Sequence, residues 1–477
     1  MTMDTPRIEP MPASAVAELR ASDFAHLDEG GHRYFDYTGS GVAPRRVVEG
    51  IHDLWSSTVL GNPHSDNPTS APATELVERA RRRVLEFFGA SEHECVFTAN
   101  ASAALKLVGE AFPFSEQRPL LLSADNHNSV NGIREFARRR GATPRTVPLV
   151  TPSLELDRSA LDGLLADSGS GGGLFAFPAQ SNYSGVQHPL ELVGRAREHG
   201  WRVLLDTAAF APSNPVDLDA MGADFACISF YKMFGLPTGV GALIARSDAL
   251  AELQRPWFAG GTISMVSVAA DDHVLTPGHS GFEDGTANFA SIPAVTHGLD
   301  LLGDLRMEAV HAHVAAATER LLGAFGQLRH SNGRPMVGVI GGAEGVARGG
   351  TVTFDLLDPG GAMVHDRAVV ERAAASGISL RWGCFCNPGC GEAARGLDAG
   401  EMASYFQRVE PPGFCDLDDD LWLRRGRGAS ALRASVGIAT NAEDISALVA
   451  LVESFRDCSA DAIGRPGAAP RGLPDAP

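Results

Sequence analysis

The sequence predicts an α/β protein with a large domain built on a mostly parallel sheet and a smaller α+β domain towards the carboxyl end. Short apolar runs bounded by turn residues alternate with stretches of helix length, a pattern typical of parallel strands covered by helices on both faces. The predicted strands of the large domain are Cys95–Thr98, Pro119–Ser123, Leu174–Pro178, Arg202–Asp206, Phe225–Ser229 and Val240–Ala245.

Helices are predicted where apolar residues recur at helical spacing. Those of the large domain are Leu76–Phe88, Ala103–Phe112, Leu161–Ala166 and Pro189–His199. After about residue 295 the pattern changes, and the elements of the smaller domain are the helix Val310–Leu328 and the apolar or alternating runs Met336–Ile340, Gly350–Phe354 and Ala431–Ile438.

These patterns divide the chain into four parts. We expect a lead-in segment over residues 1–25, a large domain over 26–295, a small domain over 296–457 and a disordered tail over 458–477. The tail is rich in Ala, Pro and Gly, which favours disorder, and Ser168–Gly173 has the composition of a flexible surface turn.

Composition narrows the function class. The chain has 477 residues, is 44% apolar and 21% charged, and carries a formal charge of −18. That charge disfavours a nucleic-acid or anionic-membrane partner, because no basic stripe is available to neutralise phosphates. No apolar run approaches the roughly 20 residues that span a bilayer, and Met1–Pro10 lacks the apolar core of a signal peptide. We therefore expect a cytoplasmic enzyme.

The chain has two lysines and thirty-eight arginines, so only two side chains carry an amine that could react with a carbonyl. Lys232 follows a predicted buried strand and precedes another, among small residues, as a Schiff base with an aldehyde cofactor requires. Lys106 lies in a helical stretch and is interpreted as an ordinary helix residue. If a side chain of this protein forms an imine, the sequence indicates Lys232.

Polar residues follow the predicted strands at the edge where parallel sheets bind ligands. Asp206 ends one strand and could hold a pyridine nitrogen protonated, although it could equally cap the next turn. Asn182 could bond a ring hydroxyl or form a turn. His127 could stack on a ring, but a lone histidine is more often structural. The coincidence of these positions is more informative than any single residue.

A phosphate site is predicted at the start of the Ala103–Phe112 helix. Thr98-Ala-Asn-Ala-Ser102 opens that helix with small residues and a hydroxyl, and helix N-termini present free N–H groups to anions. Ser229, three residues before Lys232, could add another hydroxyl. As an isolated motif this is weak, since many helices begin with Ser or Asn.

Together these residues resemble a fold-type I pyridoxal-phosphate (PLP) enzyme of the class V aminotransferase family, the family that includes cysteine desulfurases. Within it, the motifs are most similar to the amino-terminal domain of molybdenum cofactor sulfurases. The likeness extends from Tyr34 to about Leu451 and is carried by Tyr34–Gly39, Gly61–Ser65, Phe97–Val108, Pro178–Gly185, Ile228–Ala242, Phe282–Thr286 and Arg381–Cys390.

The resemblance implies roles for individual residues around pyridoxal 5′-phosphate. Lys232 would be the Schiff-base lysine, and Asp206, His127 and Asn182 would contact the ring. The remaining implied contacts are the phosphate ligands Ala101, Ser102 and Ser229, Thr286 reaching the phosphate of the neighbouring subunit of a homodimer, and Arg433 with Arg381 binding substrate. A guanidinium suits a carboxylate because it can bind both oxygens; as the bland alternative, Arg433 would be a surface charge.

The cluster Cys384-Phe-Cys386-Asn-Pro-Gly-Cys390 has three interpretations. A zinc or iron–sulfur site is disfavoured because Cys-x-x-Cys spacing is missing, so no metal is predicted. A structural loop with incidental cysteines is the second. The third, favoured by the resemblance, is a mobile loop whose Cys386 thiolate attacks a PLP-bound cysteine, with Cys384 and Cys390 shaping the loop. Cys415 has no predicted role, and the seven uneven cysteines do not form a disulfide framework.

The resemblance therefore implies a cysteine desulfurase-like sulfurtransferase that takes sulfur from L-cysteine, or a related amino acid, as a Cys386 persulfide. L-Alanine would leave, and the sulfur would pass to an acceptor protein or small molecule. The alternatives are a specialised class V PLP enzyme, such as a C–S lyase or epimerase in a biosynthetic pathway, and a sulfur carrier or scaffold that holds PLP structurally.

Some positions depart from the wider desulfurase pattern. Ala209 stands where many desulfurases carry glutamine, and Tyr231 where histidine often precedes the lysine; both fit the sulfurase subgroup. Trp382 replaces a usual threonine, and we expect its indole to reshape the substrate pocket. We also expect the chain to end where those sulfurases continue into a molybdenum-cofactor-binding domain.

Overall fold

A computed structural model describes residues 9–63, 65–167, 172–410 and 413–464. His64 of the Gly61–Ser65 motif, most of the turn predicted at residues 168–173 and the tail from residue 465 lie outside these ranges. Within them the strands are β1 Arg33–Tyr34, β2 His93–Thr98, β3 Leu120–Ser123, β4 Arg145–Val147, β5 Leu149–Val150, β6 Glu155–Leu156, β7 Leu174–Pro178, β8 Arg202–Asp206, β9 Phe225–Ser229, β10 Gly241–Arg246, β11 Ile263–Ser267, β12 Asp272–Leu275, β13 Val337–Ile340, β14 Thr351–Leu356, β15 Ile378–Ser379, β16 Arg381–Gly383 and β17 Ala431–Ser435.

Helices connect most of these strands, and a 3₁₀ helix spans Gly278–Phe282. The α-helices of the described residues are α1 Ala13–Asp23, α2 Ala25–Glu29, α3 Arg45–Ser57, α4 Ser70–Phe87, α5 Ala101–Ala111, α6 Asn128–Asn131, α7 Ile133–Arg139, α8 Arg158–Ala166, α9 Glu191–Glu198, α10 Leu218–Met221, α11 Phe230–Phe234, α12 Ser247–Ala251, α13 Pro293–Leu305, α14 Met307–Gln327, α15 Asp366–Ala375, α16 Pro388–Arg395, α17 Ala399–Phe406, α18 Phe414–Arg425, α19 Ala442–Glu453 and α20 Ala460–Ile463.

The large lobe is built on a seven-stranded sheet in the order β2-β10-β9-β8-β7-β3-β4. Strand β10 runs antiparallel to both of its neighbours, and the other pairs are parallel. All six strands predicted for this domain are present, so the predicted mostly parallel sheet is confirmed. The seventh, β4, was not predicted, because an edge strand of three residues is too short to show a pattern.

Both faces of this sheet are buried, which explains why its strands appear in the sequence as continuous apolar runs. Successive side chains of a strand point to opposite faces. In β9, Phe225 and Cys227 join one apolar cluster with helices α5 and α7, whereas Ala226 and Ile228 join the other with α4 and α9. The two helical layers hold the strand ends in fixed positions.

The small lobe has a four-stranded antiparallel sheet in the order β13-β14-β17-β16. Helix α14 packs against α19 and β14. The amino-terminal strand β1 pairs in parallel with β15, and Asp36 bridges to Ser435. Residues 33–36, which the sequence analysis assigned to the large domain, therefore pair with strands of the small lobe.

Both ends of the described chain are packed rather than free. In the predicted lead-in segment, the Arg20 side chain is buried and its Nη1 contacts Asp444 Oδ2 at 2.5 Å. The prediction of disorder from residue 458 is wrong for residues 460–463, which form α20, because the Ala460 N–H donates to Asp358 Oδ2 at 3.0 Å. None of the helices in the described ranges combines the length and the apolar character needed to cross a membrane.

Candidate active site

Seven of the predicted site residues surround one cavity of about 160 Å³ at the carboxyl edge of the large sheet. They follow β2, β3, β7, β8 and β9, so parallel strand direction brings them together although they are far apart in sequence. The seven are Ala101, Ser102, His127, Asn182, Asp206, Ser229 and Lys232. The predicted cofactor contacts other than Thr286 therefore form one site.

Lys232 lies on the short helix α11, which begins directly after β9. The helix ends at Gly235, whose φ of 75° favours glycine, and an added Cβ there would lie 2.3 Å from the Ala43 backbone nitrogen. Burial lowers the pKa of Lys232, and the nearby carboxylate of Asp206 opposes that shift. A lowered pKa makes the neutral, nucleophilic amine accessible at lower pH.

Asp206 ends β8 and lies almost fully buried in the wall of the cavity. Its Oδ1 accepts the Ala208 N–H at 2.9 Å and lies 3.4 Å from the Cys227 sulfur. A carboxylate has about four acceptor sites, so these contacts leave capacity for a further donor. A protonated ring nitrogen in the cavity would supply one.

The first turn of α5 forms the other end of the cavity. Asn100 caps the helix by accepting the Ala103 N–H at 2.9 Å, and the Ala101 N–H donates to Ser229 Oγ at 3.0 Å. Ser102 Oγ and Ser129 Oγ lie 2.5 Å apart. Three hydroxyls at a helix N-terminus provide the donors and the positive dipole end that a phosphate requires.

His127 caps the short helix α6, with its Nδ1 accepting the Ser129 N–H at 3.1 Å. Because Nδ1 accepts a backbone hydrogen, the neutral ring carries its proton on Nε2. Burial lowers the pKa of His127, and the Lys232 ammonium lowers it further. The imidazole is therefore neutral at physiological pH and suited to packing against a flat aromatic ring.

These groups match the chemical parts of pyridoxal phosphate. The lysine amine suits the aldehyde, the Asp206 carboxylate suits the pyridine nitrogen, and the α5 terminus with Ser229 suits the phosphate. Gln180, which the sequence analysis missed, also faces the cavity and donates from Nε2 to the Ala209 carbonyl at 3.0 Å. The site fits this cofactor.

The cysteine loop lies between β16 and α16 and reaches from the small lobe to the cavity wall. Phe385 and Cys386 both have φ of 54°, a conformation that side-chain-bearing residues rarely adopt. Asn182 Nδ2 donates to the Phe385 carbonyl at 2.6 Å, and the Asn128 N–H donates to the Cys386 carbonyl at 2.7 Å. The loop predicted to be mobile is thus bonded to the large lobe at the carbonyls of both strained residues.

The three loop cysteines have different environments. Burial raises the pKa of Cys384 and raises the pKa of Cys390 well above its ordinary value, which disfavours the thiolate at both. Cys386 is half-buried. Among the described residues, no cluster of three or more His, Cys, Asp or Glu side chains could hold a metal ion.

Arg433 is buried on β17, so it is not a surface charge. Its Nη1 donates to the Asn182 carbonyl at 2.9 Å and its Nη2 to Asp36 Oδ1 at 3.1 Å, while its guanidinium lies 4.5 Å from the Phe385 ring centre. Arg381, which is 44% exposed, binds the other oxygen of Asp36 at 2.6 Å. Burial lowers the pKa of Arg433 to about 10. Asp36, which was not predicted, joins both arginines.

The other predicted site residues, Cys386, Arg381, Arg433 and Thr286, do not line this cavity. Thr286 lines a separate cavity of about 350 Å³ with Lys106 and Glu110, and its predicted contact with a neighbouring subunit stays a prediction. The Trp382 ring packs on the core, 4.8 Å from the Arg367 guanidinium, and does not line the cavity; its effect on the substrate pocket stays a prediction. Neighbouring residues of a strand face opposite ways, so Trp382 turns inward where Arg381 turns outward.

Comparison with known proteins decides the family. The model of the class V aminotransferase family matches residues 33–448. The chain belongs to that family. Its fold matches that of the cysteine desulfurase from Thermococcus onnurineus NA1, with a TM-score of 0.77 at 23% identity over 94% of this chain and 99% of that one. The predicted fold type I is therefore confirmed.

The chain is also similar to molybdenum cofactor sulfurases. It is 36% identical to that of Arabidopsis thaliana over 92% of this chain and 58% of the relative, and 33% identical to that of Homo sapiens over 93% and 51%. It thus spans about half the length of these relatives, and the resemblance found in its motifs is confirmed.

Proposed function

We propose that this chain is a PLP-dependent, cysteine desulfurase-like sulfurtransferase. The observation that carries the proposal is that Asn182, a wall of the Lys232 cavity, bonds directly to the loop of Cys386. This contact holds the loop that carries the predicted thiol against the wall of the cavity that carries the predicted cofactor lysine, which supports the proposal. No feature of the described residues favours the alternative of a C–S lyase or epimerase.

Pyridoxal phosphate would be held by Lys232, Asp206, His127 and Asn182, with Ala101, Ser102 and Ser229 at its phosphate. When bound, it supplies an electron sink for bond breaking next to the amino acid's α-carbon. Asp206 would keep the ring nitrogen protonated, and the neutral His127 imidazole would pack against the ring. The lowered pKa of Lys232 lets its free amine remove the α-proton of the substrate as a general base.

Sulfur transfer is assigned to Cys386. Its thiolate attacks the sulfur of L-cysteine, a sulfur–sulfur bond forms, and the carbon–sulfur bond breaks with its electron pair remaining on the three-carbon fragment. That fragment takes up a proton and leaves as L-alanine, while Cys386 keeps a persulfide. Arg433, with Arg381 beside it, would bind the substrate carboxylate.

The persulfide would then pass to an acceptor protein or small molecule. We further propose that the enzyme acts in the cytoplasm as a homodimer in which Thr286 reaches the phosphate of the neighbouring subunit. The separation of Thr286 from the Lys232 cavity within one chain supports that arrangement.

The test is incubation of the purified, PLP-loaded protein with L-cysteine under a thiol reductant. We expect L-alanine and sulfide in equal amounts, and a persulfide on Cys386 by mass spectrometry when the reductant is omitted. Cys386→Ala should stop alanine formation, whereas Cys458→Ala, a thiol bonded only to the Arg456 carbonyl, should not. Pyruvate as the product, or full activity in Cys386→Ala, would refute the proposal.

A further inference from the structure

A buried polar network lies directly behind the cysteine loop. At its centre is Asp125, which is fully buried beyond the end of β3 in the large lobe. Its carboxylate accepts three side-chain donors: Ser181 Oγ at 2.8 Å, His188 Nε2 at 2.9 Å and Asn387 Nδ2 at 2.5 Å. A buried carboxylate needs such donors, because burying an unsatisfied charge is costly.

Asn387 directly follows Cys386 and is itself fully buried. Its Nδ2 group donates to Asp125 and also to Asn182 Oδ1 at 3.0 Å, so both of its N–H donors are used. Its Oδ1 accepts the Cys390 N–H at 3.3 Å and caps α16. One side chain therefore fixes the loop to the large lobe, to the cofactor cavity and to the helix that follows.

Asn182 closes the ring of contacts. The Asn182 side chain accepts from Asn387 and donates to the Phe385 carbonyl. Asn182 therefore hydrogen-bonds to the residues on both sides of Cys386. Phe385 and Cys386 adopt positive φ angles, which cost free energy and persist only where surrounding contacts impose them. The hydrogen bonds of Asn387 and Asn182 supply such contacts.

We propose that Asp125 and Asn387 are positioning residues that hold Cys386 at the cofactor cavity. Breaking their bond releases the strained loop, so Cys386 becomes more exposed and less often aligned for attack. The inference rests on the proposed role of Cys386 as the nucleophile, but the exposure of the thiol can be measured without turnover.

The test measures the rate at which iodoacetamide alkylates Cys386 in the PLP-loaded protein, read by peptide mass spectrometry. Asn387→Asp places a second carboxylate against that of Asp125 and so replaces their hydrogen bond with repulsion. We therefore expect the alkylation rate of Cys386 to rise by about tenfold or more. The double variant D125N/N387D restores a donor facing an acceptor between positions 125 and 387 but not the bond from position 387 to Asn182, so its rate should fall part of the way back towards that of wild type. Recovery of this kind is not expected of a residue that only supports folding.

Asn126→Ala is the matched control. Asn126 is equally buried beside Asp125, but its side chain donates only to the carbonyls of Ser123 and Ala176. Its alkylation rate should match that of wild type. Should Asn387→Asp fail to fold, Asn387→Ala, which removes the donor facing Asp125, replaces it.

An unchanged rate in the single variant, or no recovery in the double, would overturn the proposal. Alanine formation from L-cysteine, measured on the same samples, separates this outcome from failure of the proposed function. If the wild type makes no alanine while the alkylation rates of the variants differ as expected, the proposed function is wrong and the positioning role of Asp125 and Asn387 stands. If alanine forms normally in every variant, the positioning role is wrong and the function stands.

Discussion

The two halves of the candidate site are built differently. In the large lobe, Asp206, Ser229 and Lys232 are placed by strand ends whose directions are fixed by a sheet buried on both faces. In the small lobe, Cys386 is placed by a loop with two positive φ angles and by side-chain bonds that cross to the other lobe.

It follows that the proposed cofactor site and the proposed sulfur-capturing residue depend on different interactions. The cofactor half is a consequence of the fold, so most single substitutions around it should leave its shape intact. The nucleophile half depends on a few polar contacts, and its geometry should change when one of them is lost. Variants can therefore separate the two.

The largest effect is expected from Lys232→Ala, which removes the only amine in the cavity lining. PLP should no longer attach covalently, and alanine formation should fall by at least about 1,000-fold. The absorbance that wild-type protein shows near the visible edge should be absent from the purified variant.

The second lysine of the chain provides the control. Lys106 is 63% exposed, pairs with Glu110 one helical turn away and does not line the cavity around Lys232. Lys106→Ala should keep both absorbance and activity. Retention of the absorbance in Lys232→Ala would contradict the proposal that Lys232 binds PLP covalently.

A smaller effect is expected from Arg433→Lys, which keeps the charge but loses the planar fork. We expect kcat/KM for L-cysteine to fall by about 10- to 100-fold, mainly through KM, with the PLP absorbance unchanged. Arg381→Lys is the comparison, because Arg381 is far more exposed and its loss should cost less than about tenfold. Equal losses in the two variants would mean that burial does not distinguish their roles.

The pH dependence of PLP attachment tests the electrostatics of the cofactor half. Because the pKa of Lys232 lies below its usual 10.5, the rate of PLP incorporation into cofactor-free protein should rise with pH and level off below pH 10.5. Asp206 raises the pKa of Lys232, so Asp206→Asn should move the plateau to still lower pH. Stopped-flow absorbance measures both, and a plateau at or above 10.5 would contradict the prediction.

The smallest effect is expected from a substitution of Asp366, which is buried at the start of α15 in the small lobe. Burial raises the pKa of Asp366 to about 7, with Asp355 nearby adding to the rise. The folded state therefore binds this proton more tightly than the unfolded state, and the carboxyl lowers stability as pH rises from about 4 to about 7. Asp366→Asn should increase the free energy of unfolding by on the order of 2 kcal/mol at pH 8 and change it little near pH 4.

Urea unfolding at the two pH values measures this change. Asp419→Asn is the control, because that carboxylate is 48% exposed and its 3.9 Å pair with Arg367 is weak. The PLP absorbance should be unaffected by either substitution. A destabilised Asp366→Asn at pH 8 would show that the charge is compensated by its surroundings.

The same difference explains what the sequence could predict. Asp206, Ser229 and Lys232 adjoin apolar runs, so strand direction alone indicated that they meet. Asp125 and Asn387 stood inside motifs that carry the family resemblance, yet nothing in the residue pattern shows that positions 262 apart share a hydrogen bond. Asp36 was missed for the same reason, and the packing of Trp382 on the core was not predicted because a three-residue strand gives no indication of which face is buried.

The pairing of Asp36 with Arg433 and Arg381 has a consequence for biosynthesis. Asp36 leaves the ribosome early, whereas Arg433 is made 397 residues later. The strands of the large lobe are complete by residue 246, so that lobe can collapse while the rest of the chain is still being synthesised. The corner formed by Asp36, Arg381 and Arg433 is then among the last parts of the protein to assemble, and a nascent chain would form the Lys232 cavity before the corner that we propose binds the substrate carboxylate.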